Sequence, residues 1–206
     1  MKYLFFILQF LTVFVISLQT NAQIGLKTSF VKPSNDFANA YKPSISYEVI
    51  LTNDTKKTFL QKGVHSSFIV GYQSFNTTQD TLWTFGVIND HIISSGFQMM
   101  GDYKSFYLGM ILDYQFFESV ISPIIGFEAY GFYNSYSSFS DFEGSTTTLS
   151  NINEKAIGLS PRIGVKAILL NQLDLTISLS KPIFLTEDQY ISSYWKNSIS
   201  LIYYFD

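Results

Sequence analysis

Apolar and polar residues alternate along almost the whole chain after residue 23. The stretch 156–181 reads AIGLSPRIGVKAILLNQLDLTISLSK, with apolar side chains at every second position on both sides of Asn171-Gln172. A period of two is the pattern of a β-strand that has one apolar and one polar face. The stretch is therefore predicted to be a β-hairpin with two chemically different faces.

The same two-faced pattern recurs in eight further segments, whereas helical periodicity is almost absent. These predicted strands are 24–30, 45–52, 67–73, 83–87, 96–99, 106–116, 122–133 and 195–205. The segment 81–100, divided by Asn89-Asp90-His91, is either a strand pair or an elaborated loop. The sequence thus predicts eight to ten strands, and the alternation in both halves of 81–100 favours ten.

The connections between the predicted strands are of two lengths. Short ones lie at 52–57, 117–119 and 170–172, and longer polar ones lie at 32–41, 134–155 and 186–193. Short and long connections alternate for most of the chain. This asymmetry is typical of a closed antiparallel transmembrane β-barrel, which has short periplasmic turns and longer outer loops.

The first 22 residues have the pattern of an export signal. Lys2 precedes an apolar run from Leu4 to Leu18, and small residues follow at 20–22. Residues 1–22 are predicted to be a signal peptide, and residues 23–206 an outer-membrane β-barrel domain. The alternative is a membrane anchor that stays in place, although the run is short for a spanning helix.

Composition narrows the class of protein. Charged residues are only 14% of the chain, against about 25% in soluble domains, while aromatic residues are 17%. The net charge of −3 gives no basic surface for nucleic acid, so no nucleic-acid partner is expected. With two His and no Cys, no metal site, disulfide or cofactor is expected.

Two architectures fit the alternation, and they differ in which face meets water. In a soluble periplasmic β-sandwich, which remains an alternative as a binding protein, the apolar rows face each other. In an outer-membrane barrel they face lipid. The row from Phe106 to Phe116 has the length of a tilted membrane strand, and the polar face is rich in Gly and Ser. Tyr and Trp, Tyr103 among them, also gather near strand ends, where their rings suit a membrane surface, so the barrel is favoured.

The chain ends in SISLIYYFD, an alternating strand with aromatic residues near its end. This ending resembles the assembly signal of Gram-negative outer-membrane barrels. With the export signal, the chain looks like the small outer-membrane β-barrel proteins, similar to the transmembrane part of OmpA-like proteins. The resemblance implies the cell outer membrane as location, its lipid as a partner, and the barrel assembly machinery as a partner of the last strand.

If the apolar rows face lipid, eight charged side chains point into the barrel. They are four cations and four carboxylates: Lys27, Glu48, Asp113, Glu128, Arg162, Lys166, Asp174 and Lys196. Buried charges are costly unless they are paired. The sequence therefore suggests a lumen plugged by a charge network, with a narrow pore for small solutes as the alternative.

Two further groups of residues bear on function. Tyr136, Phe139 and Phe142 lie in the polar segment 134–155 and are candidates for contact with an external ligand or surface. His65 and Ser67 share a strand face, as a base and a nucleophile would, but that face is the lumen side. The expected role is non-enzymatic, either structural or surface-binding, and a lipid-modifying hydrolase is an alternative.

Overall fold

The computed structural model describes residues 22–53, 63–78, 81–88, 91–117, 119–142, 145–170, 172–185 and 193–205. The predicted signal peptide lies almost entirely outside these residues. In them, β-strands predominate, and the single helix has five residues. No helix among them is long and apolar enough to cross a membrane.

The described residues form eleven strand segments and one short helix. In chain order they are β1 (Ala22–Pro33), α1 (Asp36–Ala40), β2 (Ser44–Asn53), β3 (Val64–Phe75), β4 (Thr81–Ile88), β5 (His91–Met100), β6 (Tyr103–Gln115), β7 (Ile121–Phe142), β8 (Ser145–Leu170), β9 (Leu173–Ser180), β10 (Ile183–Phe184) and β11 (Tyr194–Tyr203).

Eight strands close into an antiparallel ring. The order is β1-β2-β3-β6-β7-β8-β9-β11, and β11 pairs with β1 to complete it. Closure gives every strand of the ring two neighbours, so no strand edge is left open along the ring. The predicted closed transmembrane-type barrel of eight to ten strands is confirmed, with eight strands in the ring.

The three segments outside the ring continue strands that belong to it. Met100 of β5 pairs with Ser138 of β7, just beyond the pairing of Lys104 of β6 with Ser135. The strand pair β4–β5 therefore prolongs the hairpin β3–β6. Segment β10 likewise continues the pairing of β9 with β8 after an interruption at Lys181-Pro182.

The predicted outer loop 134–155 is wrong as a loop, because β7 runs to Phe142 and β8 starts at Ser145. Their ladder continues past the ring with one irregularity between Tyr136 and Ser138. Ser, Thr and Asn lack the alternation by which strands were predicted. Backbone hydrogen bonding does not require that alternation, and Thr favours extended backbone. Strands β4, β5, β7 and β8 thus form a sheet beyond one end of the ring, here called the projecting sheet.

The two ends of the ring differ, as the connection lengths predicted. At the turn end, β7 follows β6 after residues 116–120 and β9 follows β8 after residues 171–172. Strand β2 ends at Asn53 and β3 begins at Val64, so this connection is longer than predicted; residues 54–62 lie outside the described part. The opposite end, here called the loop end, carries α1 and the projecting sheet.

Apolar side chains face outward and polar side chains face inward. On β1, Leu26 is 68% exposed whereas its neighbour Lys27 is 2% exposed. The same contrast holds on β7, where Phe127 is exposed and Glu128 is buried. An apolar exterior around a polar interior is the reverse of a soluble domain. The alternative of a soluble β-sandwich is therefore wrong for this chain.

Aromatic side chains border the apolar exterior at both ends of the ring. Near the loop end, four of them are consecutive ladder partners on neighbouring strands: Tyr47, Tyr72, Phe106 and Tyr133. Near the turn end the exposed aromatic side chains are Tyr114, Phe116, Phe117, Tyr203 and Phe205. From Phe106 to Tyr114, β6 rises about 27 Å, which suits the hydrocarbon layer once the strand tilts. These residues are called the upper and lower girdles.

Candidate functional site

The interior of the ring holds a connected row of six charged side chains, here called the charge chain. Each comes from a different strand, and cations alternate with carboxylates. In order along the row they are Lys196, Glu48, Lys27, Glu128, Arg162 and Asp113. Three positive and three negative groups make the row neutral.

The first half of the charge chain has short distances between opposite charges. Lys196 Nζ lies 2.5 Å from Glu48 Oε1, and Lys27 Nζ lies 3.0 Å from Glu48 Oε2. Lys27 Nζ then reaches Glu128 Oε1 at 2.6 Å, although 101 residues separate the two in sequence. The side chains of Lys27, Glu48 and Glu128 are fully buried. Contacts this short between opposite charges offset the cost of removing them from water.

The second half of the charge chain is looser. Arg162 Nη1 donates to Glu128 Oε1 at 3.3 Å, and Arg162 Nε lies 3.5 Å from Asp113 Oδ1. This last contact is an ion pair without a hydrogen bond. Asp113 is also the most exposed member, with 15% of its side chain accessible. The chain therefore weakens toward its Asp113 end.

Hydroxyl groups complete the coordination of the two central carboxylates. Tyr107 Oη donates to Glu48 Oε1 at 2.9 Å, and Tyr130 Oη donates to Glu128 Oε2. Lys196 Nζ also lies 4.8 Å and 5.1 Å from the ring centres of Tyr107 and Tyr130, within cation–π range. The tyrosines thus bind the charges at both the hydroxyl and the ring face.

Strand register explains why the central charges meet. Lys27 and Glu48 are directly opposite each other in the β1–β2 ladder, on the inward face. Such opposed charges are a favourable cross-strand pair. Gly71 of β3 leaves room for Tyr107, because a Cβ at Gly71 would lie 2.5 Å from the Tyr107 ring. A glycine on the inward face thus admits the large ring that reaches Glu48.

A separate ion pair lies close to the turn end. Lys166 Nζ lies 2.7 Å from Asp174 Oδ2, and Tyr204 Oη donates to the same carboxylate oxygen. Both charged side chains are largely buried. All eight charged residues predicted to point inward do so, and each has an oppositely charged partner within 4 Å.

An aromatic layer fills the interior at the loop end, above the charge chain. Its buried members are Val31, Phe37, Tyr41, Phe75, Tyr103, Tyr136 and Tyr194. Helix α1 supplies Phe37, whose ring centre lies 5.1 Å from that of Phe75 and 5.5 Å from that of Tyr103. A segment predicted as a loop therefore places an aromatic side chain inside the mouth of the ring.

The sequence did not predict this aromatic layer. Tyr103 was among the aromatic residues expected near a membrane surface, yet it is 2% exposed and faces inward. Aromatic side chains suit both a lipid interface and a packed interior, so residue type alone does not place them. The alternation along β6 could have placed them, because Tyr103 and Tyr107 are an even number of residues from Ser105 and so share its inward face.

The predicted loop-contact residues fall in different places. Tyr136 is 3% exposed, its hydroxyl donates to Glu154 Oε1 at 2.7 Å, and its ring stacks on Tyr103. Tyr136 is therefore not available to an external partner. The backbones of Phe139 and Phe142 pair with Met99 and Gly96 of β5, while their side chains lie outside the described part.

His65 and Ser67 lie on the inward face of β3, near the turn end. In the β3–β6 ladder they are opposite Asp113 and Ile111, and both are half-buried. They do not face the lipid-contacting surface. Among the described residues, no group of three or more His, Cys, Asp or Glu side chains is arranged to hold a metal ion.

Three solved structures are similar to this chain over most of its length. Neisserial surface protein A matches with a TM-score of 0.51 at 15% identity, over 90% of this chain and 98% of that one. The N-terminal β-barrel domain of Pseudomonas aeruginosa OprF matches with a TM-score of 0.48 at 11% identity, over 90% and 98%. The outer membrane enzyme PagL matches with a TM-score of 0.44 at 13% identity, over 89% and 99%.

No family model and no curated protein matches the sequence. The chain has the fold of the small outer-membrane β-barrel proteins. An identity of 15% shows the fold alone and assigns no role to this chain.

Proposed function

We propose that this chain is an outer-membrane barrel that does not conduct ions or solutes. The charge chain is the observation that supports the proposal. It crosses the interior from β11 to β6 through contacts of 2.5–3.5 Å, and the aromatic layer lies between it and the loop end. A ring of eight strands has room only for side chains, and here large ones meet at its centre.

Conductance in planar bilayers tests this proposal. The protein is purified from outer membranes and shown to be folded by its change in gel mobility on heating in SDS. We expect no stable single channels from the natural chain. Replacing Lys27, Glu128 and Arg162 together by Ser removes three large side chains from the charge chain. A variant that also carries Phe37→Ala and Tyr103→Ala opens the aromatic layer as well and should conduct. Stable, salt-dependent channels in the natural chain would contradict the proposal and favour a narrow pore.

We further propose that the projecting sheet binds an external surface or ligand. Four strands continue beyond the upper girdle, and within the described residues β4 pairs only with β5. The edge of β4 therefore offers unpaired backbone groups to an added strand. Ser, Thr and aromatic residues in this sheet are suited to adaptable contacts.

Truncating the projecting sheet tests the binding role. Residues 139–148 are replaced by Asn-Gly, which favours a tight hairpin turn. Cells that display either form are then compared for adhesion to surfaces coated with collagen, fibronectin or heparan sulfate. We expect adhesion to fall while heat modifiability is unchanged. If cells with the truncated form adhered to each of the three surfaces as well as cells with the natural form, the projecting sheet would not be a binding surface for these ligands.

The end of β11 supports a proposed role in assembly. Tyr203 and Phe205 are exposed on the outside of the ring, with ring centres 5.0 Å apart. We expect Phe205→Ala to reduce the amount of heat-modifiable barrel in the outer membrane, because the assembly machinery would bind this strand more weakly. Phe116→Ala, at the same girdle just after β6, is the matched control.

A hydrolase role is not part of the proposal, because His65 and Ser67 face the interior rather than lipid. Mass spectra of outer-membrane lipids from cells with the natural chain and with Ser67→Ala should be identical. Acylated or deacylated lipids that depend on Ser67 would reinstate the enzymatic alternative.

A further inference from the structure

Within the described residues, the cations on the outside of the ring lie at one level. Five lysines are exposed or half-exposed near the loop end: Lys32, Lys42, Lys104, Lys155 and Lys181. The other cations of the described residues, Lys27, Arg162, Lys166 and Lys196, lie inside the ring. Between the upper and lower girdles, the described outward-facing side chains include no charge. We call the five residues the lysine belt.

Three members of the lysine belt are next to aromatic residues at the upper border of the apolar exterior. Lys32 is the ladder partner of Trp195, and Lys181 Nζ lies 5.1 Å from the centre of the same ring. On the other side of the ring, Lys155 is the ladder partner of Tyr133. The lysines therefore lie at the depth where hydrocarbon gives way to headgroups.

The remaining two positions continue this level around the ring. Lys104 lies two residues before Phe106 on the outward face of β6. Lys42 follows α1, is exposed, and is held by a hydrogen bond from its backbone N–H to the Asn76 carbonyl. Lysines thus stand on several strands around the circumference rather than in one patch.

The lysine belt lacks the carboxylates that accompany every cation in the interior. None of its five ammonium groups is within 4 Å of a described carboxylate, whereas each interior cation is. Nearby, Asp102 is exposed, and Glu154 accepts the Tyr136 hydroxyl. A surface with five cations and two carboxylates among the described residues, one of which already accepts the Tyr136 hydroxyl, fits an anionic partner.

We propose that the lysine belt binds the phosphate groups of a phosphorylated glycolipid in the outer leaflet. Lipid phosphates lie at the level of an aromatic girdle, and long lysine side chains reach them along apolar surface. A circumferential belt suits many lipid molecules around the barrel, whereas a soluble ligand would need converging groups. This inference rests on the membrane orientation in the proposed function, with the loop end outward.

The test uses the purified full chain in phosphatidylcholine nanodiscs, with fluorescent lipid A as the probe. Bis-phosphorylated lipid A is compared with lipid A from which both phosphates have been removed. We expect at least about tenfold tighter binding of the phosphorylated form, weakened in about 0.5 M salt. The variant with Lys→Gln at positions 32, 104, 155 and 181 together should weaken binding at least about fivefold, because every lipid site along these strands then loses about one charge.

Controls separate charge from structure. Lys→Arg at the same four positions keeps the charge and should bind within about twofold of the natural chain. All variants should keep the same change in gel mobility on heating, since the lysines have no described salt-bridge partner. Equal binding of phosphorylated and dephosphorylated lipid A, or equal binding by the natural chain and the Gln variant, would overturn the inference.

Two further outcomes have distinct meanings. Inorganic pyrophosphate that displaces lipid A at similar concentrations would indicate a site for small anions and would also overturn the inference. Channel activity of the natural chain would contradict the proposed closed lumen but would leave the lipid result intact.

Discussion

The charge chain and the aromatic layer fill the same interior in different ways. The charge chain has a fixed pairing, in which each carboxylate binds particular cations over distances of 2.5–3.5 Å. The aromatic layer is a set of rings with centres 4.7–6.4 Å apart at several inclinations. The first depends on charge balance and the second on volume. A substitution that removes a charge should therefore lower the free energy of unfolding more in the charge chain, and one that changes side-chain volume should do so in the aromatic layer.

The largest expected effect comes from removing one charge of the chain. In Glu128→Gln, the contacts to Lys27 and Arg162 lose their negative partner, which leaves excess positive charge in a buried site. Breaking a buried pair in this way costs about 3–5 kcal/mol. Urea unfolding in lipid vesicles measures the change in the free energy of unfolding.

Two variants control for the loss of Glu128. Adding Lys27→Met to Glu128→Gln restores neutrality and should recover part of the loss. Glu154→Gln alters a half-buried carboxylate with one tyrosine donor and should cost less than about 1.5 kcal/mol. Equal losses for Glu128→Gln and Glu154→Gln would mean that charge balance in the interior is unimportant.

The next effect tests a tyrosine that binds the charge chain, at the contact of Gly71 with Tyr107. A Cβ in Gly71→Ala would meet the Tyr107 ring at 2.5 Å and displace the hydroxyl that donates to Glu48. Overpacking of this kind costs about 1–3 kcal/mol. Gly131→Ala is the control, because a Cβ there has no heavy atom within 4 Å. A heat-modifiability midpoint that is the same for both would contradict the predicted contact.

A smaller effect is expected within the aromatic layer. Phe75 is fully buried, and Phe75→Leu keeps an apolar side chain of similar volume, so the expected loss is about 1–1.5 kcal/mol. Phe106→Leu, on the lipid-facing side of β6, is the matched control and should change the free energy of unfolding less. A loss above that of Glu128→Gln would reverse the ranking of the two regions.

The smallest effect concerns the hydrogen bond between Tyr136 and Glu154. Tyr136→Phe keeps the ring stacked on Tyr103 and removes only the donor, so about 0.5–1 kcal/mol should be lost. In the Glu154→Gln background the same substitution should cost less, because the two groups act together. Additive losses would show that the hydroxyl contributes elsewhere.

The fold was largely predictable because a barrel strand has a simple period. Alternation placed Lys27 and Leu26 on opposite faces, and it identified all eight inward charges. It did not identify which charges pair, since Lys27 and Glu128 lie on strands separated by five others along the chain. That pairing depends on barrel diameter and strand stagger, which a period of two does not encode.

The projecting sheet and α1 were not predictable by the same rule. Strands that leave the membrane are no longer required to alternate, so the Ser- and Thr-rich residues of β7 and β8 indicated a loop. Helix α1 is held by the packing of Phe37 on Phe75 and Tyr103, which are distant in sequence. Its five residues are too few for a local helical signal.

The pairing of β1 with β11 has a consequence for the order of folding events. Lys27 is on the first strand and Lys196 on the last, and both bind Glu48. The ring must close before these three side chains can share one site. The contacts among Lys27, Glu48 and Lys196 therefore form late in folding, after the first and last strands have paired. Weakening these contacts should therefore raise the rate of unfolding more than it lowers the rate of folding.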